Sequence, residues 1–127
     1  MGADTMSRPL KRSNAPIFWG LFGAGGMLAA ILGPALVFIT GIAVPLGILL
    51  APDAMSYANM MAFAQSWIGK AFVLAIVPLF LWHAGHRIFH SLHDVGIHGG
   101  TGARLICYGG ALLGTLITLW ALLRIGF

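Results

Sequence analysis

The stretch from His83 to His98 reads HAGHRIFHSLHDVGIH and holds all five histidines of the chain. Imidazole donates or accepts a hydrogen bond and titrates near neutral pH, while guanidinium only donates. At ~100° per residue, His83, His86, His90 and His93 fall within about 80° of one helix face. Arg87 and Asp94 border that arc, and Ile88 and Leu92 lie opposite. With a rise of ~1.5 Å per residue, the polar seam is about 15 Å long.

Three chemistries suit such a seam. Histidines on membrane helices can ligate haem iron axially. Two facing ligands are needed, and neither other apolar segment carries a histidine. A haem therefore needs its second ligand from another protein of a complex. A metal ion could bridge His86 and His90, or His83 and His86, but only Asp94 adds an anionic donor nearby. The third candidate is a quinone, whose two carbonyl oxygens need donors and whose reduction takes up protons. Imidazole and guanidinium supply those bonds. Trp19 and Phe22 could wall the flat ring, and Gly23 leaves room for it. The ordinary alternative is a row of solvated interface histidines with Trp19 as an aromatic-belt anchor. That reading is preferred for His93 and His98. A charged residue close to an apolar core needs a partner or a role, which favours function for His86 and Arg87.

The elements that must position these residues are legible from composition. The chain has 127 residues, 59% hydrophobic and 8% charged, with a mean hydropathy of +0.93. This predicts an all-α membrane protein with about three spans of ~20 residues. The apolar runs do not alternate with polar residues, which excludes a β-barrel. The net charge of +4 comes from scattered residues near span ends rather than a nucleic-acid-binding patch. Cys107 is the only cysteine, so an internal disulfide and a cysteine-based cluster are excluded. No nucleophile–base set, carboxylate pair or phosphate-binding loop is present. The only acids, Asp4, Asp53 and Asp94, fall outside the expected spans, which argues against a self-contained proton pump.

Residues 1–15 read as a basic N-terminal segment, and residues 16–127 as one three-helix membrane domain. Ser13 or Asn14 suits an N-cap and Pro16 a first turn. The first span is expected over about 17–42, bent at Pro34, with Gly20, Gly23, Gly25 and Gly26 as a small-residue face. Residues 44–53 read as a turn segment. Asp53 or Ser56 is expected to cap a helix that starts near Tyr57, enters the bilayer near Trp67 and continues to Asp94. Its span is placed at about 63–90, with Lys70 reaching to the nearer interface and a bend at Pro78. The third span is expected over about 103–124, with Gly110 and Gly114 as a packing pair. Arg8, Lys11, Arg12, Arg87 and Arg104 fall on one side of the membrane, and Lys70 and Arg124 on the other. The positive-inside rule then places the N-terminus and the histidine corner in the cytoplasm.

Four blocks carry a family resemblance. PIFWGLFGAGGM (Pro16 to Met27), DAMSY (Asp53 to Tyr57), AFAQSWIGK (Ala62 to Lys70) and HRIFHSLHD (His86 to Asp94) resemble the fumarate reductase D subunit in order and spacing. That family is the smaller of two hydrophobic anchors of bacterial quinol:fumarate reductase. The resemblance implies a membrane anchor in the cytoplasmic membrane, with three helices packed against three of the sister anchor, the C subunit. It implies docking of an iron–sulfur subunit that carries the flavoprotein. It also implies menaquinol oxidation near the cytoplasmic face during anaerobic respiration, with no haem in the anchor and no fumarate chemistry in this chain. Trp19, Phe22, Gly23, His86 and Arg87 match the family's quinone-pocket residues, and an acidic proton acceptor is expected from partner subunits. His83 departs from the family pattern, where a small residue stands. A haem-bearing cytochrome b anchor and a purely structural anchor are the alternatives.

Overall fold

The computed structural model describes residues 14–127. Arg8, Lys11, Arg12 and the proposed cap Ser13 lie outside the described residues. The elements are α1 (Ala15–Phe38), a π-helical turn (Ile39–Ala43), α2 (Val44–Leu46), α3 (Tyr57–Gln65), α4 (Trp67–Asp94) and α5 (Gly100–Ile125). No strand occurs among the described residues. Three helical rods are long and apolar enough to cross a membrane: Ala15–Leu46, Trp67–Asp94 and Gly100–Ile125. The shortest has 26 residues, or about 39 Å at 1.5 Å per residue, against a hydrocarbon core of ~30 Å. All three therefore tilt or project beyond the hydrocarbon.

The helix starts and stops have local causes. Asn14 precedes α1 without a side-chain cap; its carbonyl instead accepts from the Ile17 N–H at 3.1 Å. Pro34 lies inside α1 and Pro78 inside α4, and both helices continue through them. The first rod also runs through Val44 and Pro45, which read as a turn in the sequence. It stops at Gly47, in the left-handed region at φ +64°. There the Gly47 N–H donates to the Val44 carbonyl and the Ile48 N–H to the Ala43 carbonyl, the paired bonds of a Schellman motif. The same motif ends α4. Gly96, at φ +80°, donates to the His93 carbonyl, and Ile97 donates to the Leu92 carbonyl.

The helix expected to run unbroken from Tyr57 to Asp94 is two helices. Ser66 takes an extended conformation and its Oγ accepts from the Gly69 N–H at 3.0 Å, capping α4. The same hydroxyl donates to the Phe63 carbonyl at 2.6 Å. The break needs a bare backbone at Gly69, because a Cβ there would collide with the Phe63 carbonyl. The membrane-length helix consequently starts at Trp67 rather than near residue 63. Ser56 caps α3 through the Asn59 N–H at 3.4 Å.

α4 packs against both other rods, while α1 and α5 make no direct backbone approach to each other. Small residues set both contacts. Gly25 lies against the Leu79 carbonyl of α4, and His83 lies over Gly26; a Cβ at either glycine would come within 3 Å of α4. On the other side Gly85 meets the Cys107 carbonyl, and Gly114 lies under Leu81. Gly20, Gly23 and Gly110 have no neighbour within reach of a Cβ, so only part of each expected glycine face is used within the chain. Ala43, Ala111 and Leu122 are the buried hydrophobic residues among those described. Most of the large apolar side chains remain exposed, as helices that face lipid require.

Lys70 does not simply reach outward. Its Nζ donates to the Leu122 carbonyl at 2.8 Å and lies 4.8 Å from the Phe127 ring centroid. Gln65 Nε2 donates to the Ile125 carbonyl at 3.5 Å. Two orphan carbonyls at the end of α5 are thus satisfied by donors from α3 and α4. The Trp67 and Phe127 rings lie beside them, tilted 37° to each other with centroids 4.4 Å apart, making an aromatic and cationic band at the membrane end opposite the histidines.

Candidate functional site

The start of α1, the end of α4 and the start of α5 meet at one end of the bundle. There a cleft of about 250 Å³ is lined by Trp19, Phe22, Gly23, His83, His86 and Arg87. The helical period explains why. Residues 19, 22 and 23 share one face of α1, and 83, 86 and 87 share the facing stripe of α4. Close approach at Gly25 and Gly26 brings the two stripes together. Trp19 and Arg87 therefore lie at the same end of the bundle and on one cleft. Trp19 remains 80% exposed, so one side of the cleft is open and a second chain could close it.

The histidines in the cleft are held by neighbours. His83 Nδ1–H donates to the Phe22 carbonyl at 2.8 Å, which fixes the proton on Nδ1, since a carbonyl only accepts. This bond links α4 to α1 directly. The His86 ring stacks on Phe22 with centroids 4.1 Å apart and planes 10° from parallel. His86 Nδ1 shares a 2.9 Å hydrogen bond with the Tyr108 hydroxyl from α5. His86 is thus clamped between α1 and α5, and its Nε2 has no protein partner among the described residues. Arg87 is exposed and its guanidinium is available at the cleft edge.

Tyr108 is the functional neighbour that sequence reasoning missed. A tyrosine inside an apolar run looks like a packing residue. The available signal was that Arg104 and Tyr108 stand one turn apart on a single face of α5. Trp82 was missed for the same reason; its Nε1 donates to Thr115 Oγ1 at 3.2 Å and ties α4 to α5.

The other histidines point elsewhere. His90 lies with its ring 4.3 Å from that of His86 in an edge contact but outside the cleft. His93 and His98 contact each other at 4.6 Å, and His98 Nδ1–H donates to the Gly96 carbonyl at 3.0 Å. Among the described residues, no three metal-ligating side chains converge. The seam of four histidines thus divides into a cleft pair, a bridging His90 and a solvent-side His93.

With that geometry in place, comparison with known proteins is decisive. A family model for the D subunit of fumarate reductase matches residues 9–123. The chain belongs to the fumarate reductase D-subunit family. It is 42% identical over 113 residues to the fumarate reductase D subunit of Aliivibrio fischeri, covering 89% of this chain and 93% of that protein. It is 48% identical to the corresponding protein of Photobacterium profundum, over 81% of this chain and 85% of that one. Identity is also 48% to that of Vibrio parahaemolyticus, over 84% and 85%. Family membership and three apolar rods agree on a multi-pass membrane protein. The site residues lie within the residues that the family model matches.

Proposed function

We propose that this chain is the membrane anchor of quinol:fumarate reductase and that the α1–α4 cleft forms one wall of the menaquinol oxidation site. In this reading the chain sits in the bacterial cytoplasmic membrane with its N-terminus inside. It packs against the sister anchor and carries the iron–sulfur and flavoprotein subunits, which reduce fumarate. The observation that carries the reading is the convergence of Trp19, Phe22, Gly23, His83, His86 and Arg87 on one cleft.

The residues present fit a quinone ring. Two aromatic side chains give flat walls, and bare backbone at Gly23 leaves room for close approach. Two side chains with free polar groups, His86 and Arg87, stand at the opening. Menaquinol supplies two electrons and two protons when it is oxidised there. Arg87 holds a permanent positive charge that orients an oxygen of the headgroup. His86, with Nδ1 engaged by Tyr108, presents Nε2 as the nitrogen that can donate to or accept from that oxygen. Phe22 and Tyr108 prevent the imidazole from turning away, so its geometry is set before the ligand arrives. His83 is committed to the Phe22 carbonyl through Nδ1 and stiffens the α1 wall. Asp53 and Asp94, the acids among the described residues, do not line the cleft, so the final proton acceptor comes from a partner subunit. The reading invokes no haem, because His83 and His86 are both on α4 and a bis-histidine haem needs ligands from facing helices.

Arg87→Leu in the assembled complex tests the proposal. Quinol-driven fumarate reduction is expected to fall by roughly 10-fold or more, the scale of one charge-assisted hydrogen bond. Reduction of fumarate by an artificial dye should survive. Equal loss of both activities would instead assign Arg87 to assembly.

A further inference from the structure

A second and larger recess lies on the other side of Phe22. It has a volume of about 750 Å³, and its floor and rim include Phe18, Leu21, Trp82, Phe89, His90 and Arg104. It runs over α4 between α1 and α5, which stand apart there. From Trp82 to His90 it spans about 12 Å of α4. Its polar groups are few and unequally placed. The Tyr108 hydroxyl, also on its wall, is engaged by His86, which leaves Arg104 and His90 as the available donors. Both sit at the end of the bundle where α4 finishes and α5 begins. Arg104 lies with its guanidinium carbon 5.7 Å from the Phe89 ring centroid, at the rim. A smaller cavity of about 260 Å³ shares Phe89 and Arg104 and adds His93 and Thr101. No carboxylate lines either cavity.

This asymmetry separates the groove from the cleft of the proposed quinol site. A quinone ring needs donors around a compact headgroup. Here a long apolar floor ends in a cationic rim. That arrangement matches a phospholipid, with an acyl chain on the aromatic floor and an anionic phosphate at the rim. Cationic pockets between membrane helices hold anionic headgroups through such charge complementarity. We infer that the α1–α5 groove is a binding site for one anionic phospholipid, with its phosphate at Arg104 and His90 and an acyl chain along Phe18, Leu21, Trp82 and Phe89. The occupant fills the gap that α1 and α5 leave over α4.

The test uses the intact complex reconstituted with photoactivatable phosphatidylglycerol, or with phosphatidylcholine carrying the same photoactivatable acyl chain. Adducts are mapped by mass spectrometry of this chain. Labelling of peptides that contain Leu21, Trp82 or Phe89 is expected to be about 5-fold stronger with phosphatidylglycerol, the selectivity of one interfacial cation. Arg104→Gln should reduce that ratio to near one, and Arg104→Lys should keep it. If Arg104→Gln fails to assemble, His90→Gln serves, with a partial loss of the ratio expected. Equal labelling by both lipids in the unaltered complex would overturn the proposal by reducing the groove to ordinary lipid contact. A photoreactive phenylalanine at Phe89 that captured the sister anchor instead of lipid would overturn it as well.

Discussion

At the residue scale, the site depends on how His86 is held. Its ring lies flat on Phe22 and its Nδ1 bonds to Tyr108. Each contact comes from a different helix, so neither alone restrains the ring. Tyr108→Phe removes the hydroxyl and keeps the ring that fills the space. The expected result is a rise of roughly 3- to 10-fold in the KM for quinol, corresponding to one neutral hydrogen bond, with dye-driven activity unchanged. An unaltered KM would show that His86 needs no anchor on α5. The grouping of polar residues at this corner was legible in the sequence because all five histidines are confined to one stretch, and a period of 3.6 sorts them into faces. The sequence could not say which of them share a cavity. That depends on the approach of α1 at Gly25 and Gly26 and of α5 at Gly85 and Gly114. Tyr108 escaped because its role exists only across a helix–helix contact.

At the element scale, glycines decide which helices touch. Gly25 meets the Leu79 carbonyl, and the fixed backbone on the far side cannot yield. Gly25→Val should therefore push α1 off α4, open the Trp19–Arg87 cleft and lower the yield of assembled complex on native gels. Gly110 has open space around it, so Gly110→Ala is expected to leave the fold of this chain intact. Any loss of assembly with that variant would mark the face of α5 that meets another protein of the complex. Helix boundaries follow from similarly local devices. Gly47→Ala should cost roughly 1 kcal/mol, because the residue needs a left-handed backbone. The readout is a lower thermal midpoint of the complex in detergent. The three apolar rods were readable from run length, whereas the stops were not. Pro45 suggested a turn, yet the π-helical turn carries the helix through it to Leu46, where the Schellman motif ends it. Ser66 sits in a run with no proline to announce a break. Its hydroxyl caps α4, and Gly69 makes room for the Phe63 carbonyl.

At the scale of the whole molecule, the chain has the surface of one part of a larger bundle. Few hydrophobic residues are buried, and large ones such as Ile17, Trp19, Met27 and Ile31 are well exposed on α1. A chain that finished its own packing would not leave the proposed quinol cleft open beside an exposed tryptophan. Partner helices would close that cleft, and lipid would cover the groove between α1 and α5. The two recesses share Phe22 as a wall, yet they differ in the placement of donors, and the separate ligands proposed for them rest on that difference. The most direct measurement is photolabelling of the intact complex with an azido-naphthoquinone, followed by mapping of the adducts. Label is expected on the peptides of this chain that carry Trp19, Phe22 or His86, and it should be lost when excess menaquinone competes. Label confined to other subunits, or found only on Trp82 and Phe89 in the neighbouring groove, would contradict a quinol site walled by α1 and α4.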